Sequence, residues 1–339
     1  MRKSTVFLLV TALLLSLAGC SKETAKPTEP ALTMKPSESP TVPPTAPLFK
    51  TVYYWVTKKD CAATYTRSYD SSGRMLTNAY ISSDGSEGYT ITYTYDENGK
   101  ILTIKDEHIN METVFHTFTY DENGNMLTDA VESPSANYTT CYYYDENGYQ
   151  EKTIVTHRSG SQDITYYTYD PYGQVIEERN QVHLDGMVID LAHTFYEYDS
   201  TGNQISLVQY LNNSMRKKQK WTYDESGRLT GEFIHHNGSP SYSGTVYEYN
   251  EQGRLIREFE ATFVDGVAQY IPSVQRYIYN DAGQCIERYT EYNGEKGART
   301  VYVYDEHGNL SKELHYESGS DTVSHQTEYT YIAIEVPNN

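Results

Sequence analysis

Thr92-Tyr93-Thr94-Tyr95-Asp96-Glu97-Asn98-Gly99-Lys100-Ile101-Leu102-Thr103 is the stretch whose reading decides the fold. Aromatic and β-branched side chains alternate up to Tyr95, which favours a pleated strand, and the period of two puts Tyr93 and Tyr95 on one face. Asp96 can hydrogen-bond the backbone of its own turn, and Gly99 supplies the positive φ of a type I turn closed by a bulge. The chain then resumes an extended pattern at Ile101. The segment therefore predicts a β-hairpin in which Tyr95 lies opposite Ile101.

Ten copies of this unit follow one another. They are anchored at Tyr69-Asp70 with Gly73, Tyr95-Asp96 with Gly99, Tyr120-Asp121 with Gly124, Tyr144-Asp145 with Gly148, and Tyr169-Asp170 with Gly173. The series continues with Tyr198-Asp199 and Gly202, Tyr223-Asp224 and Gly227, Tyr249-Asn250 and Gly253, Tyr279-Asn280 and Gly283, and Tyr304-Asp305 and Gly308. Successive glycines stand 24 to 26 residues apart, except for two steps of 29 and 30. A fixed period of this size marks a repeat architecture rather than a compact enzyme fold. Asp96, Gly99, Asp121, Gly124, Asp224, Gly227, Asp305 and Gly308 are read as turn-defining residues.

The residue before the Asp or Asn is Tyr in every repeat, and two positions earlier it is aromatic in all but one, Arg67 being the exception. Side by side, the hairpins lay these rings in rows, where each cross-strand pair adds roughly 0.2–1 kcal/mol. Such rows can replace the aliphatic core that a mean hydropathy of −0.67 makes scarce. The tyrosines are read as packing first and as a ligand surface second. Between repeats, Asp84-Gly85, Asp185-Gly186, Asn237-Gly238, Asp265-Gly266 and Asn293-Gly294 predict hairpins at the opposite edge. The expected fold is all-β: one antiparallel meander of about 22 strands, with 52–56 opening it and 328–332, carrying Tyr329 and Tyr331, as a closing edge strand. A strip on the order of 100 Å across must curl as twist accumulates. A coiled strip, a partial shell or an elongated solenoid is expected.

The N-terminus reads differently. Arg2 and Lys3, an apolar run over residues 6–15 and Leu17-Ala18-Gly19-Cys20 form a secretory signal, too short to span a bilayer as a stable helix. The Leu-Ala-Gly-Cys ending resembles the lipobox of bacterial lipoproteins, which implies cleavage before Cys20 and a diacylglyceryl group on its sulfur. Two or more acyl chains hold a protein on a membrane stably. Residues 21–48 contain seven of the twelve prolines among Thr, Ser, Glu and Lys, a composition that buries no core. Extended at roughly 3.1 Å per residue, that spacer reaches on the order of 80 Å, as a stalk through a wall layer or as a plain tether. The expected organisation is a signal peptide at 1–19, lipidated Cys20 and spacer at 20–48, and one repeat domain at 49–339.

A net charge of −19 argues against nucleic acid and against anionic membrane surfaces as partners. Cys61, Cys141 and Cys285 fit neither a disulfide framework nor a zinc site, and each is read as a packed strand residue. The carboxylates recur because turns need them, and ten equivalent copies are the opposite of one tuned catalytic pair. The sequence contains no HExxH, no Gly-x-Ser-x-Gly and no phosphate-binding glycine loop. Neither enzyme activity nor any cofactor or metal is expected.

Segments such as Tyr223-Asp224-Glu225-Ser226-Gly227-Arg228-Leu229 and Tyr304-Asp305-Glu306-His307-Gly308-Asn309-Leu310 resemble YD repeats, the unit of RHS-repeat proteins, over roughly residues 51–332. The resemblance implies hairpins wound into a β-strip around a hollow, enclosing a toxin in many members and serving adhesion or carbohydrate binding in related surface proteins. This chain departs from that pattern. Its spacing is longer, no Arg regularly precedes the aromatic pair, and no core-closing motif with a following toxic domain is present.

Binding is expected where the repeat varies. The two long steps enlarge residues 182–193 and 262–273, with Met187 and Ile189 in one and Phe263, Val267 and Tyr270 in the other, as a contact surface or as a flap folded on the sheet. Trp221, with Tyr196 and Tyr247 at the same repeat position, can pack or form an aromatic platform for a sugar ring. The function expected is that of a non-catalytic, lipid-anchored envelope protein binding glycan or a surface protein. The alternative is a structural shell of an export or interbacterial competition system.

Overall fold

The computed structural model describes residues 49–235, 241–264 and 267–337, with side chains throughout except at 267–268, 270–271 and 337. The signal segment, Cys20 and the spacer lie outside the described residues, as do the Asn237-Gly238 and Asp265-Gly266 turns. Backbone contacts separate residues 1–46 from 47–339, and the second unit contains every strand.

Each repeat folds as the Asp-x-x-Gly spacing dictates. In the hairpin of β4 (Gly88–Tyr95) and β5 (Ile101–His108), the Gly99 N–H donates to the Asp96 carbonyl at 3.1 Å and the Asp96 N–H to the Lys100 carbonyl at 2.8 Å. The Asp96 carboxylate accepts the N–H groups of Asn98 and Lys100 at 2.9 and 2.8 Å. Gly99 has φ 86°, a conformation that costs a side-chain-bearing residue. Asn250 serves equally because only an acceptor is required: it takes the N–H of Gln252 at 3.1 Å and of Arg254 at 2.9 Å. A bulge before the tyrosine sets Tyr95 opposite Ile101. Threonines fill the other face of the hairpin, where Thr94 and Thr103 share a hydroxyl bond of 2.6 Å, as do Thr119 and Thr128 at 2.7 Å.

The tyrosine before each Asp does more than pack. Neighbouring hairpins splay apart at the rim that carries these turns, so the ladder between β5 and β6 (Val114–Tyr120) ends at Thr103↔Thr117. Beyond it the Tyr120 hydroxyl donates to the Ile101 carbonyl at 2.8 Å. The same staple recurs as Tyr95 on Met75 at 2.6 Å, Tyr198 on Val175 at 2.7 Å, Tyr223 on Gln204 at 2.9 Å and Tyr304 on Cys285 at 2.7 Å. It reaches the last strand too, with Tyr331 on Leu310 at 2.8 Å. The accepting carbonyl belongs to the residue two after the glycine of the preceding repeat. Side-chain identity at that position is therefore free, which accounts for Gln150 and Gln204 among apolar residues.

Twenty-two antiparallel strands result, each laddered to the next. They do not form an open strip. β1 (Phe49–Lys59) pairs antiparallel with β22 (Val323–Pro337) from Phe49↔Pro337 to Lys59↔Glu328, with an irregularity at Val56. The meander thus closes into a β-barrel, which corrects the expected coiled strip, partial shell or solenoid. β22 is not a free edge. Closure satisfies the backbone groups that two open edges would leave exposed. The Asp-x-x-Gly turns lie at one rim, and the inter-repeat hairpins at the other, the far rim. Strand backbones approach only their ladder neighbours. Among the described residues no large side chain is completely buried, so the ladders, staples and ring rows take the place of a thick core.

Candidate binding site

The wall is most elaborated between β12 (Met187–Tyr198) and β17 (Leu255–Val264). Two glycines stand within strands there rather than in turns: Gly231 in β15 (Leu229–His235) and Gly244 in β16 (Tyr242–Tyr249). A Cβ on Gly244 would lie 1.8 Å from the Glu232 carbonyl oxygen, and one on Gly231 would lie 2.6 Å from the Phe233 ring. Gly231 clears the space into which the Phe233 ring turns, and Gly244 lets its strand come close to the Glu232–Phe233 backbone. Phe233 meets Tyr242 edge-on at 5.6 Å and Phe263 edge-on at 5.4 Å, while Tyr242 and Phe263 stack at 4.7 Å with planes 10° apart. His235 lies against Tyr242 at 4.9 Å.

This cluster forms one wall of a cavity of about 840 Å³, lined also by Ile205, Val246 and Phe259, with Glu197, Lys220 and Glu248 as its charged groups. Glu248 is held by Arg257 at 2.9 Å across the β16–β17 ladder. Apolar walls with a few oriented polar groups suit a ligand that offers a flat apolar face and hydroxyls at its edge.

The candidates named from sequence fall into separate places. Phe263 joins the cluster, and Trp221 borders the same cavity, although its ladder partner Glu232 puts it in the tyrosine row. Tyr196 and Tyr247 are not among the residues lining that cavity. The Tyr247 hydroxyl donates to the Glu232 carboxylate at 3.0 Å. Burial, then that bond, raises its pKa to about 12. Burial and Glu178 raise Tyr196 in the same way, and burial and Glu313 raise Tyr329, whose hydroxyl donates to Glu313 at 2.8 Å. In these three strands the tyrosine two residues before the stapling one is thus tied to a carboxylate of the preceding hairpin.

Met187 and Ile189 stand exposed on the hairpin of β11 (Val175–Leu184) and β12, which keeps its ladder out to Leu184↔Met187. It extends the wall and is not a flap folded over it. Val267 and Tyr270 pair with Val264 and Ala261 in β18 (Val267–Tyr279), but their side chains lie outside those described. Phe233, Tyr242 and Phe259 were missed by sequence reasoning. The signal was there in Gly231 and Gly244, since a glycine inside a strand pattern marks close approach. Among the described residues no cluster of His, Cys, Asp and Glu could hold a metal ion, and Cys61, Cys141 and Cys285 are free thiols.

No family model matches the sequence, and no curated protein matches it. Among solved structures the chain is similar to a porin-like protein from Bacteroides uniformis, at 11% identity over 84% of this chain and 96% of that one, with a TM-score of 0.33. A porin-like protein from Bacteroides vulgatus is 12% identical over 83% of this chain and 99% of that one, with a TM-score of 0.25. Superpositions this loose carry no argument about function.

Proposed function

We propose that the protein is an exported, non-catalytic binding protein of the bacterial envelope, tethered through lipidated Cys20, whose YD-repeat barrel offers the Phe233–Tyr242–Phe263 cavity to a glycan. The cavity carries this reading: stacked and edge-on rings beside Lys220 and Glu197 can take the apolar face of a sugar and its hydroxyls. The barrel stands outside the bilayer in this reading, because neither face of its wall is a continuous apolar band. Glu178, Glu232, Glu258 and Glu313 interrupt the tyrosine rows, and Lys105, Glu107, Arg179, Lys218 and Glu287 stand among the threonines of the other face.

A glycan array probed with the full chain carrying Cys20→Ser, followed by titration of any ligand found, tests the reading. Tyr242→Ala should weaken binding by about tenfold or more, because it removes the ring stacked on Phe263. Unchanged affinity in that variant, or no glycan bound, would remove the reading. Ring closure supports a second reading, a structural shell of an export or competition assembly. Co-purification with a secretion component encoded alongside it would favour that alternative.

A further inference from the structure

The far rim carries a surface at odds with the acidity of the chain. The β11–β12 hairpin presents Met187, Val188 and Ile189 at 58, 57 and 44% exposure, with Leu184 and Leu191 beside them. The next hairpin joins β13 (Gln204–Leu211) to β14 (Ser214–Tyr223), and its Asn212 N–H donates to the Leu191 carbonyl at 3.1 Å, fixing the two tips together. Leu211 and Met215 on that second tip are also exposed. β14 begins Ser214-Met215-Arg216-Lys217-Lys218-Gln219-Lys220, the densest run of cations in a chain of net charge −19. Arg216 and Lys217 are exposed, and the Lys and Arg ion pairs among the described residues all involve other side chains. Of the carboxylates on these tips, Asp185 sits in the turn, and Asp190 is already bonded to Arg179 at 2.8 Å and to Gln181 at 2.7 Å.

We propose that these paired tips dock on an anionic lipid bilayer surface, the aliphatic side chains entering the interface and the β14 cations meeting lipid phosphates. Aliphatic tips alone would suit many partners, and cations alone would suit any acidic polymer. Their juxtaposition on one rim fits a surface that is apolar beneath and anionic above. Attraction to a surface is set by the charges within a Debye length of it, so the Asp-x-x-Gly turns on the other rim do not oppose this, and acidic residues of the other far-rim hairpins, such as Asp84, Glu295 and Asp321, oppose it only where they come that close. Docking is peripheral and uses neither the aromatic cavity nor a lipid on Cys20.

Vesicle flotation of the full chain carrying Cys20→Ser tests this, with phosphatidylglycerol–phosphatidylcholine vesicles against phosphatidylcholine alone. Binding to the anionic vesicles only, weakening with salt, is expected. Arg216→Glu with Lys217→Glu should reduce it by about tenfold or more, and Met187→Ser with Val188→Ser should do the same with charge unchanged. Circular dichroism confirms that each variant is folded. Equal binding to both vesicle types, or none, overturns the proposal. Polyphosphate binding that survives the Met187/Val188 change without vesicle binding assigns the patch to an acidic polymer. A dimer in sedimentation equilibrium that the same change dissolves assigns it to a second copy, and either result overturns the lipid reading.

Discussion

At the scale of single residues, the tyrosine before each Asp is explained by its hydroxyl and not only by its ring. Phenylalanine would pack in the same row but leave a rim carbonyl without a donor. Tyr95→Phe should therefore cost about 1 kcal/mol, read as a lowered urea midpoint with unchanged slope, and an unchanged midpoint would remove the staple from the account. Gly227 isolates a different effect. Its φ is 76°, and the nearest atom to an added Cβ is 3.9 Å away, so Gly227→Val is strained by backbone conformation and not by crowding. A loss of about 1–2 kcal/mol in denaturation is expected. The tyrosines also set the alkaline limit. Burial and Glu232 raise Tyr247 from 10.0 to about 12, so the unfolded chain loses its proton first. Stability from this group is complete below about pH 10 and drains as pH rises through about 12. Ultraviolet titration should show tyrosinate appearing together with unfolding, and independent early ionisation of these rings would contradict it.

At the scale of elements, the strand glycines 231 and 244 matter more than their number suggests. Gly244→Ala places a Cβ within 1.8 Å of a backbone oxygen, which no side-chain rotation relieves. The β15–β16 ladder must shift, and a loss of more than about 2 kcal/mol is expected in thermal or chemical unfolding. A stable Gly244→Ala protein with an intact ladder would mean that the two strands do not approach as described. The basic run of β14 carries the same lesson for charge. Net charge is a property of the chain, whereas binding is a property of a few strands, and Arg216, Lys217 and Lys218 vanish in a total of −19.

At the scale of the whole molecule, closure decides the character of the protein. A meander of this width with two open edges would present unpaired ladders at Val323–Pro337 and Phe49–Lys59, a template for edge-to-edge association. Ending the chain before Val323 should therefore yield a species that associates on size exclusion and melts with less cooperativity. A well-behaved monomer would show that the ring is dispensable.

The hairpins could be read in the sequence because everything that shapes them lies within a dozen residues. Alternation makes the strands, the Asp or Asn carboxyl or amide oxygen caps the turn, and the glycine takes the positive φ. The number and antiparallel order of the strands followed from repetition of that unit. What only the tertiary structure decided involves residues far apart in the chain. The pairing of Tyr331 with Trp55, the tyrosine bonds to carbonyls of the preceding repeat and the meeting of Phe233 with Phe263 each depend on how far the sheet curls. Curl accumulates from small twists over all the strands, so no local stretch encodes the ring that closes where the two ends meet.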